Sequence, residues 1–172
     1  EKVQKIINEI PSDVKIVGAA KHKTSLSVLK SVDAGIKIIG ENYIRDAKKV
    51  YQSIKGKAKL HFIGIPDKAK HDLLRIKNLL MFDMIETINS TNIAKDINEK
   101  CAQIEKVMPV LIEINSGEEN QKAGIMPEAV VEVIKELSCL KNIKIMGLMT
   151  MGSTPYQSMA DPQDRERARN CF

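Results

Sequence analysis

The sequence predicts an α/β protein of about six βα units around a parallel sheet, and three observations carry that prediction. Short apolar runs alternate with longer segments of helical period along the chain, the pattern left by strands joined through crossover helices. Turn and cap residues fall at the junctions between them. No stretch rich in Pro, Gly or Ser divides the chain, and its 172 residues suit a single domain with a sizeable core, residues 1–172.

Taken in order, residues 2–10 read as a helix that Pro11-Ser12-Asp13 stops. Strand-like runs follow at Lys15 to Ala20, Ile36 to Gly40, Leu60 to Gly64, Met81 to Ile88, Val110 to Asn115 and Ile143 to Thr150. Helices are expected between them at Leu26 to Ala34, Ile44 to Ile54, Lys70 to Leu80, Ile93 to Ile104 and Pro127 to Leu140, with a further helix-like run at Asp164 to Cys171. Gly35 closes the helix from Leu26, and Asn89-Ser90 offers a cap for the helix from Ile93. Val130, Val133, Ile134 and Leu137 recur at i, i+3, i+4 and i+7 and form a face suited to covering a sheet. A closed (β/α)₈ barrel has eight such units and takes about 250 residues, so periodicity leaves an open sheet and an incomplete barrel as alternatives.

Composition narrows the function classes. With 43% hydrophobic and 28% charged residues the chain is neither a disordered segment nor a membrane protein. No apolar run approaches the roughly 20 residues that span a bilayer, and EKVQKIINEI is an amphipathic helix rather than a secretory signal, so a cytoplasmic location is expected. Cys101, Cys139 and Cys171 are scattered and read as free thiols, and His22, His61 and His71 lack metal-ligand spacing, so no metal is expected. The charge of +5 comes from 27 basic residues interleaved with 22 acidic ones, and aromatics are only 3%. Nucleic acid is therefore not expected as a partner, whereas an anionic small molecule is compatible.

Ligands of parallel α/β folds collect at strand C-termini, so the residues after each apolar run define the working face. They include Lys21 and Lys23, Glu41 and Asn42, Gly64 to Asp67, Thr87 to Ser90, Asn115 to Glu119, and Met149 to Gly152. The sharpest is KIVGAAKHKTSL, in which Lys21 follows an apolar run and Lys23 stands two residues on. If the chain stays extended, the two side chains point the same way and His22 points away. Two like charges on one side favour a neutral, nucleophilic amine on one of them. Two exposed lysines of a basic protein read equally well at this point. No Walker loop and no G-x-G-x-x-G is present.

The segments IVGAAKHKTSL, IIGENYIRDA, LHFIG, MIETINS, LIEINSGEENQKAG and IMGLMTMGS together resemble the pyridoxal-phosphate homeostasis protein family, formerly called proline synthetase co-transcribed proteins. The resemblance runs from about Val14 to Gly152. It implies the alanine-racemase-like (β/α)₈ TIM-type barrel, with pyridoxal 5′-phosphate (PLP) as cofactor. The family pattern A-V-S-K-x-K-P falls on Ala19 to Thr24, which implies that Lys21 forms the Schiff base and Lys23 accompanies it as a cation. The family's G-E-N falls on Gly40-Glu41-Asn42, its loop lysine and glycine on Lys122 and Gly124 with Asn115 at the strand end, and its G-L-M-T on Gly147 to Thr150. The implied pocket is thus Lys21, Lys23, Asn42, Asn115, Lys122 and Met149.

Two departures stand out. The family continues H-F-I-G-H-L-Q-S-N-K where this chain has His61-Phe62-Ile63-Gly64 and then Ile65-Pro66-Asp67-Lys68-Ala69-Lys70. The family's last two strands, which carry most phosphate contacts, would follow Phe172, so the barrel is expected to be incomplete at its C-terminal part. The resemblance implies a protein of PLP homeostasis that binds the cofactor and hands it to PLP-dependent apoenzymes. No catalytic residues or turnover are implied, and the protein would be a monomer or a homodimer. The alternatives are a racemase-like or Schiff-base lyase enzyme using Lys21, and a truncated remnant that no longer binds.

Overall fold

A computed structural model of the chain describes residues 2–117 and 122–151. The chain divides into two compact units, residues 1–85 and 86–172. The first opens with helix α1 (Lys2–Glu9) and continues through β1 (Val17–Ala19), α2 (Ser25–Asp33), β2 (Ile38–Glu41), α3 (Ile44–Ile54), β3 (Lys59–Phe62), α4 (Pro66–Leu73) and α5 (Ile76–Leu79). Strand β4 (Met84–Ile88) begins in this unit and ends in the next. Every strand pair is parallel and follows chain order, β1 with β2, β2 with β3, and β3 with the start of β4. The second unit holds α6 (Thr91–Ala102), β5 (Met108–Ile114), a 3-10 turn (Pro127–Ala129), α7 (Val130–Leu137) and β6 (Ile143–Thr150), with β5 and β6 parallel.

The core of each unit lies between strands and helices. In the first, Val28 and Val32 of α2 and Ala47, Val50 and Ile54 of α3 are buried against Ile39, Leu60 and Phe62. Phe62 meets Phe82 edge-on with ring centroids 5.5 Å apart, a geometry that the ring quadrupoles favour. In the second, Ile93, Ala94, Ile97 and Cys101 of α6 are buried with Met108, Val110 and Ile112 of β5 and Leu137 of α7. Lys95 of α6 joins Glu136 of α7 at 2.6 Å, and Asn98 Oδ1 accepts the Asn142 N–H at 2.8 Å just before β6. The α7 face expected from the sequence is the inward one, whereas Val131 beside it is exposed.

The helix from Ile44 to Ile54 and the strand from Ile143 to Thr150 form with the expected limits. The single helix expected at Lys70 to Leu80 is instead two. Pro66 stands at the first helical position, where a missing N–H costs nothing, and so starts α4 early. Leu74 closes it, and Arg75 leaves helical geometry with ψ 126. The corner is fixed by buried Asn78, whose Nδ2 donates to the Asp72 carbonyl at 2.5 Å. The strand expected from Met81 starts at Met84, because Asp83 turns back and its Oδ2 accepts the Leu60 N–H at 2.8 Å. Cys101 and Cys139 are free thiols. The run Asp164 to Cys171, with Glu118 and Glu119, lies outside the described residues. No helix among the described residues is long and apolar enough to cross a membrane.

Candidate functional site

In the first unit the site is built on the connection that follows β1. The Ala20 N–H donates to the Gly40 carbonyl at 2.9 Å, carrying the β1–β2 pairing one residue past the strand. The chain then turns. Lys23 N–H donates back to the Ala20 carbonyl at 2.9 Å, and His22 takes φ 60, the left-handed region. Thr24 caps α2 by accepting the Ser27 N–H at 3.2 Å. The extended run expected through Lys21 and Lys23 is thus replaced by a tight turn. Lys23 lines a cavity of about 320 Å³ with Val3 and Ile6 of α1 and Ser27 and Ser31 of α2. Lys21 instead places its Nζ 5.6 Å from the centre of the Tyr43 ring, within cation–π range.

His22 was expected to point away from the site, but the left-handed turn carries it onto the same tyrosine, with ring centroids 5.5 Å apart. Its Nδ1 lies 4.0 Å from Asp46 Oδ2. Asp46, in the first turn of α3, is buried and paired with Lys49 at 3.2 Å and Arg45 at 3.5 Å. The Lys49 hydrogen bond, ahead of the two positive charges, holds its carboxyl below the usual range. Tyr43 and Asp46 escaped the sequence reading. Their only signal was position, since residues two to five places beyond the end of β2 open the next helix and lie beside the neighbouring loop.

Asn42, directly after β2, is half-buried, and its Nδ2 donates to the Ile63 carbonyl at 3.1 Å, tying the ends of β2 and β3 together. A Cβ on Gly64 would collide with the Asn42 carbonyl, so glycine is required there. Glu41 beside it was expected as a strand-end charge. It is fully buried, neither carboxylate oxygen has a hydrogen-bond partner among the described residues, and burial followed by the nearby Asp46 charge pushes its pKa up to about 7. After Gly64, where the sequence departs from the family's polar residues, α4 begins, with Ile65 at its cap and Pro66 buried.

The second unit carries the other expected residues. Asn115 follows β5 and is buried, its N–H donating to the Ile125 carbonyl at 2.9 Å and its Nδ2 to Met126 Sδ at 3.6 Å. The returning loop passes so close that a Cβ on Gly124, at φ +118, would stand 2.7 Å from the Asn115 nitrogen. The Thr150 hydroxyl donates to the Ile114 carbonyl at 3.0 Å, which makes Ser116 the donor in the 2.6 Å contact between their hydroxyls. Met149 is half-buried and in register with Glu113, a buried acid whose pKa burial raises. Lys122 is half-buried on the loop. Lys21, Lys23 and Asn42 are thus gathered in one unit, and Asn115, Lys122 and Met149 in the other. Apart from Lys122, all sit at or beside the C-terminal ends of strands. No group of three or more His, Cys, Asp or Glu among the described residues could hold a metal ion.

What the first unit offers is a primary amine just past a strand end, backed by a tyrosine face. The family model "Alanine racemase, N-terminal domain" matches residues 3–172, and the chain belongs to that family. Within it, the similar curated proteins are named pyridoxal phosphate homeostasis protein. The one from Aquifex aeolicus is 32% identical over 151 residues, 87% of this chain and 63% of the relative. That of Schizosaccharomyces pombe is 28% identical over 150 residues, 87% of this chain and 62% of the relative. The chain therefore spans a little under two thirds of these relatives' length.

Solved structures show the fold. PipY of Synechococcus elongatus, without PLP, superposes with a TM-score of 0.82 at 17% identity, covering 99% of this chain and 78% of PipY. The same protein with PLP bound gives 0.77 over 98% and 81%. Alanine racemase of Clostridium difficile gives 0.71 at 23% identity, over 99% of this chain and 44% of the enzyme. The chain has the α/β fold of the alanine racemase family, as the resemblance in sequence implied.

Proposed function

We propose that this chain binds pyridoxal 5′-phosphate through Lys21 and serves its homeostasis in the cytoplasm, taking up the cofactor and handing it to PLP-dependent apoenzymes without turnover of its own. One observation carries the reading. Lys21 stands exposed at the end of β1 with no ion pair among the described residues, its ammonium resting on the Tyr43 ring. Its neighbours Lys49 and Arg45 are held by Asp46. An amine without a carboxylate partner is available for covalent chemistry. The names of the relatives and the PLP-bound PipY structure support the choice of cofactor.

The residues present fit the aldehyde end of the group. PLP, when bound, supplies a carbonyl carbon that condenses with a primary amine and a ring that withdraws electrons. Lys21 gives up a proton and provides the amine, while the turn fixed by the Lys23–Ala20 hydrogen bond limits where Nζ can reach. Lys23 lends positive charge from the adjoining cavity that it lines with α1 and α2. Asn42 keeps the adjoining strand ends together, and Asn115, Lys122 and Met149 are the second unit's candidates for the same ligand in a protein acting as monomer or homodimer.

Titration of the purified chain with PLP, followed by its visible absorbance and by borohydride trapping with mass mapping, tests the proposal. The expected result is a saturable spectral change and a label on Lys21, both lost in Lys21→Ala. A spectrum unchanged by that substitution, or label spread evenly over surface lysines, would refute the role of Lys21. Failure of the wild-type chain to exchange the Cα hydrogen of added amino acids for solvent deuterium is expected of a carrier, and exchange would mark an enzyme.

A further inference from the structure

We propose that a cavity at the opposite ends of the strands binds a small polyphosphate. Lys37 immediately precedes β2 and Lys59 opens β3, so these two lysines stand at strand N-termini, away from Lys21 and Asn42 at the C-termini. Together with Lys55 and Lys57 from the loop after α3 they line a concavity of about 450 Å³. All four are exposed. The backbone brings the two strand starts together, since Lys59 N–H donates to the Lys37 carbonyl at 2.9 Å. Gly56, at φ +78 with open space beside it, turns the Lys55-Gly56-Lys57 loop around the rim.

The cavity is short of negative charge. Asp83 is its one acid, and that carboxylate's Oδ2 accepts the Leu60 N–H. Lys57 reaches only Asp33, at 3.9 Å, with both side chains more than half exposed, a pairing of little strength. Lys37 and Lys59 have no ion pair among the described residues. The whole unit is basic, with 17 Lys and Arg against 9 Asp and Glu in residues 1–85, whereas residues 86–172 hold 10 against 13.

Four ammonium groups around one concavity exceed what a single carboxylate or monophosphate neutralises, and ammonium is a point-charge binder of phosphate. The volume is that of a small-molecule site. Leu80, Met81 and Tyr51 add apolar and aromatic lining, and Lys55 Nζ stands 5.8 Å from the centre of the Tyr51 ring. A ligand with two or three linked phosphates suits the four ammonium groups, and the apolar lining suits an attached base. Inorganic pyrophosphate and a nucleoside triphosphate share this chemistry.

Two-dimensional NMR of the isotope-labelled chain titrated separately with pyrophosphate, ATP and adenosine tests the assignment. Saturable shifts are expected at the amides of Gly56, Lys57 and Ala58 with both phosphates, and none with adenosine. Tighter binding of ATP than of pyrophosphate would assign a nucleotide, and equal binding a plain polyphosphate. Lys37→Gln with Lys59→Gln should weaken binding by roughly tenfold or more, and added salt should weaken it further. Lys21→Ala should leave it unchanged, which keeps the result separate from the fate of the PLP reading. Absence of saturable shifts, shifts scattered over all exposed lysines, or affinity indifferent to the Lys37/Lys59 double substitution in a chain of unchanged circular dichroism would overturn it.

Discussion

Glu41→Gln is expected to raise stability at alkaline pH and to leave it nearly unchanged in mild acid. Glu41 is fully buried with both carboxylate oxygens unpaired among the described residues, and its pKa is pushed from 4.5 to about 7, first by burial and then by Asp46, against a smaller opposing pull from Lys49. Because the folded value lies above the unfolded one, the folded chain holds a proton that the unfolded chain releases. The stability linked to that proton is fully present below about 4.5 and is lost as pH rises through about 7. The gap corresponds to about 3 kcal/mol at alkaline pH. Glutamine keeps the shape and removes the titration. Urea unfolding of both proteins from roughly pH 5 to roughly pH 9 should give curves that diverge through neutrality, the wild type falling relative to the variant. Comparing the two cancels Glu113, whose raised pKa acts in the same direction. Parallel curves, or a variant weaker at every pH, would refute the reasoning.

Asp46→Asn should move the midpoint of that divergence to lower pH, because Asp46 is the charge that raises Glu41, and the same urea series reads it. Gly124→Ala combines φ +118 with a Cβ 2.7 Å from the Asn115 nitrogen and should cost about 1–3 kcal/mol by denaturant midpoint. Phe62→Ala removes a ring that is wholly buried against Phe82 and should cost about 3–5 kcal/mol in the same assay. Thr24→Ala deletes the cap of α2 and should cost about 1 kcal/mol.

Much of the fold was legible because apolar period and caps agree with the final packing. Ile44 to Ile54 and Ile143 to Thr150 were read to the residue, since each is bounded by a change of hydrophobic period that tertiary contacts do not override. The break at Arg75 was not legible, because it depends on the Asn78 side chain reaching the Asp72 carbonyl, a contact that no local propensity encodes. The site was legible as a set of strand ends but not as a geometry. Lys21 and Lys23 looked like one face until the hydrogen bond from Lys23 to Ala20 and the left-handed His22 bent the chain. Glu41 read as a strand-end charge because nothing in G-E-N tells a reader that its side chain is fully buried.

The contact of Lys21 and His22 with Tyr43 bears on how this surface can change over generations. The turn that carries Lys21 comes from one βα repeat, but the ring that backs it and the acid 4.0 Å from its histidine come from the next. Neither loop is therefore an independent module. A graft of the Lys21 turn alone into another α/β protein would arrive without its backing, and drift at Tyr43 or Asp46 would be felt at an amine some twenty residues upstream.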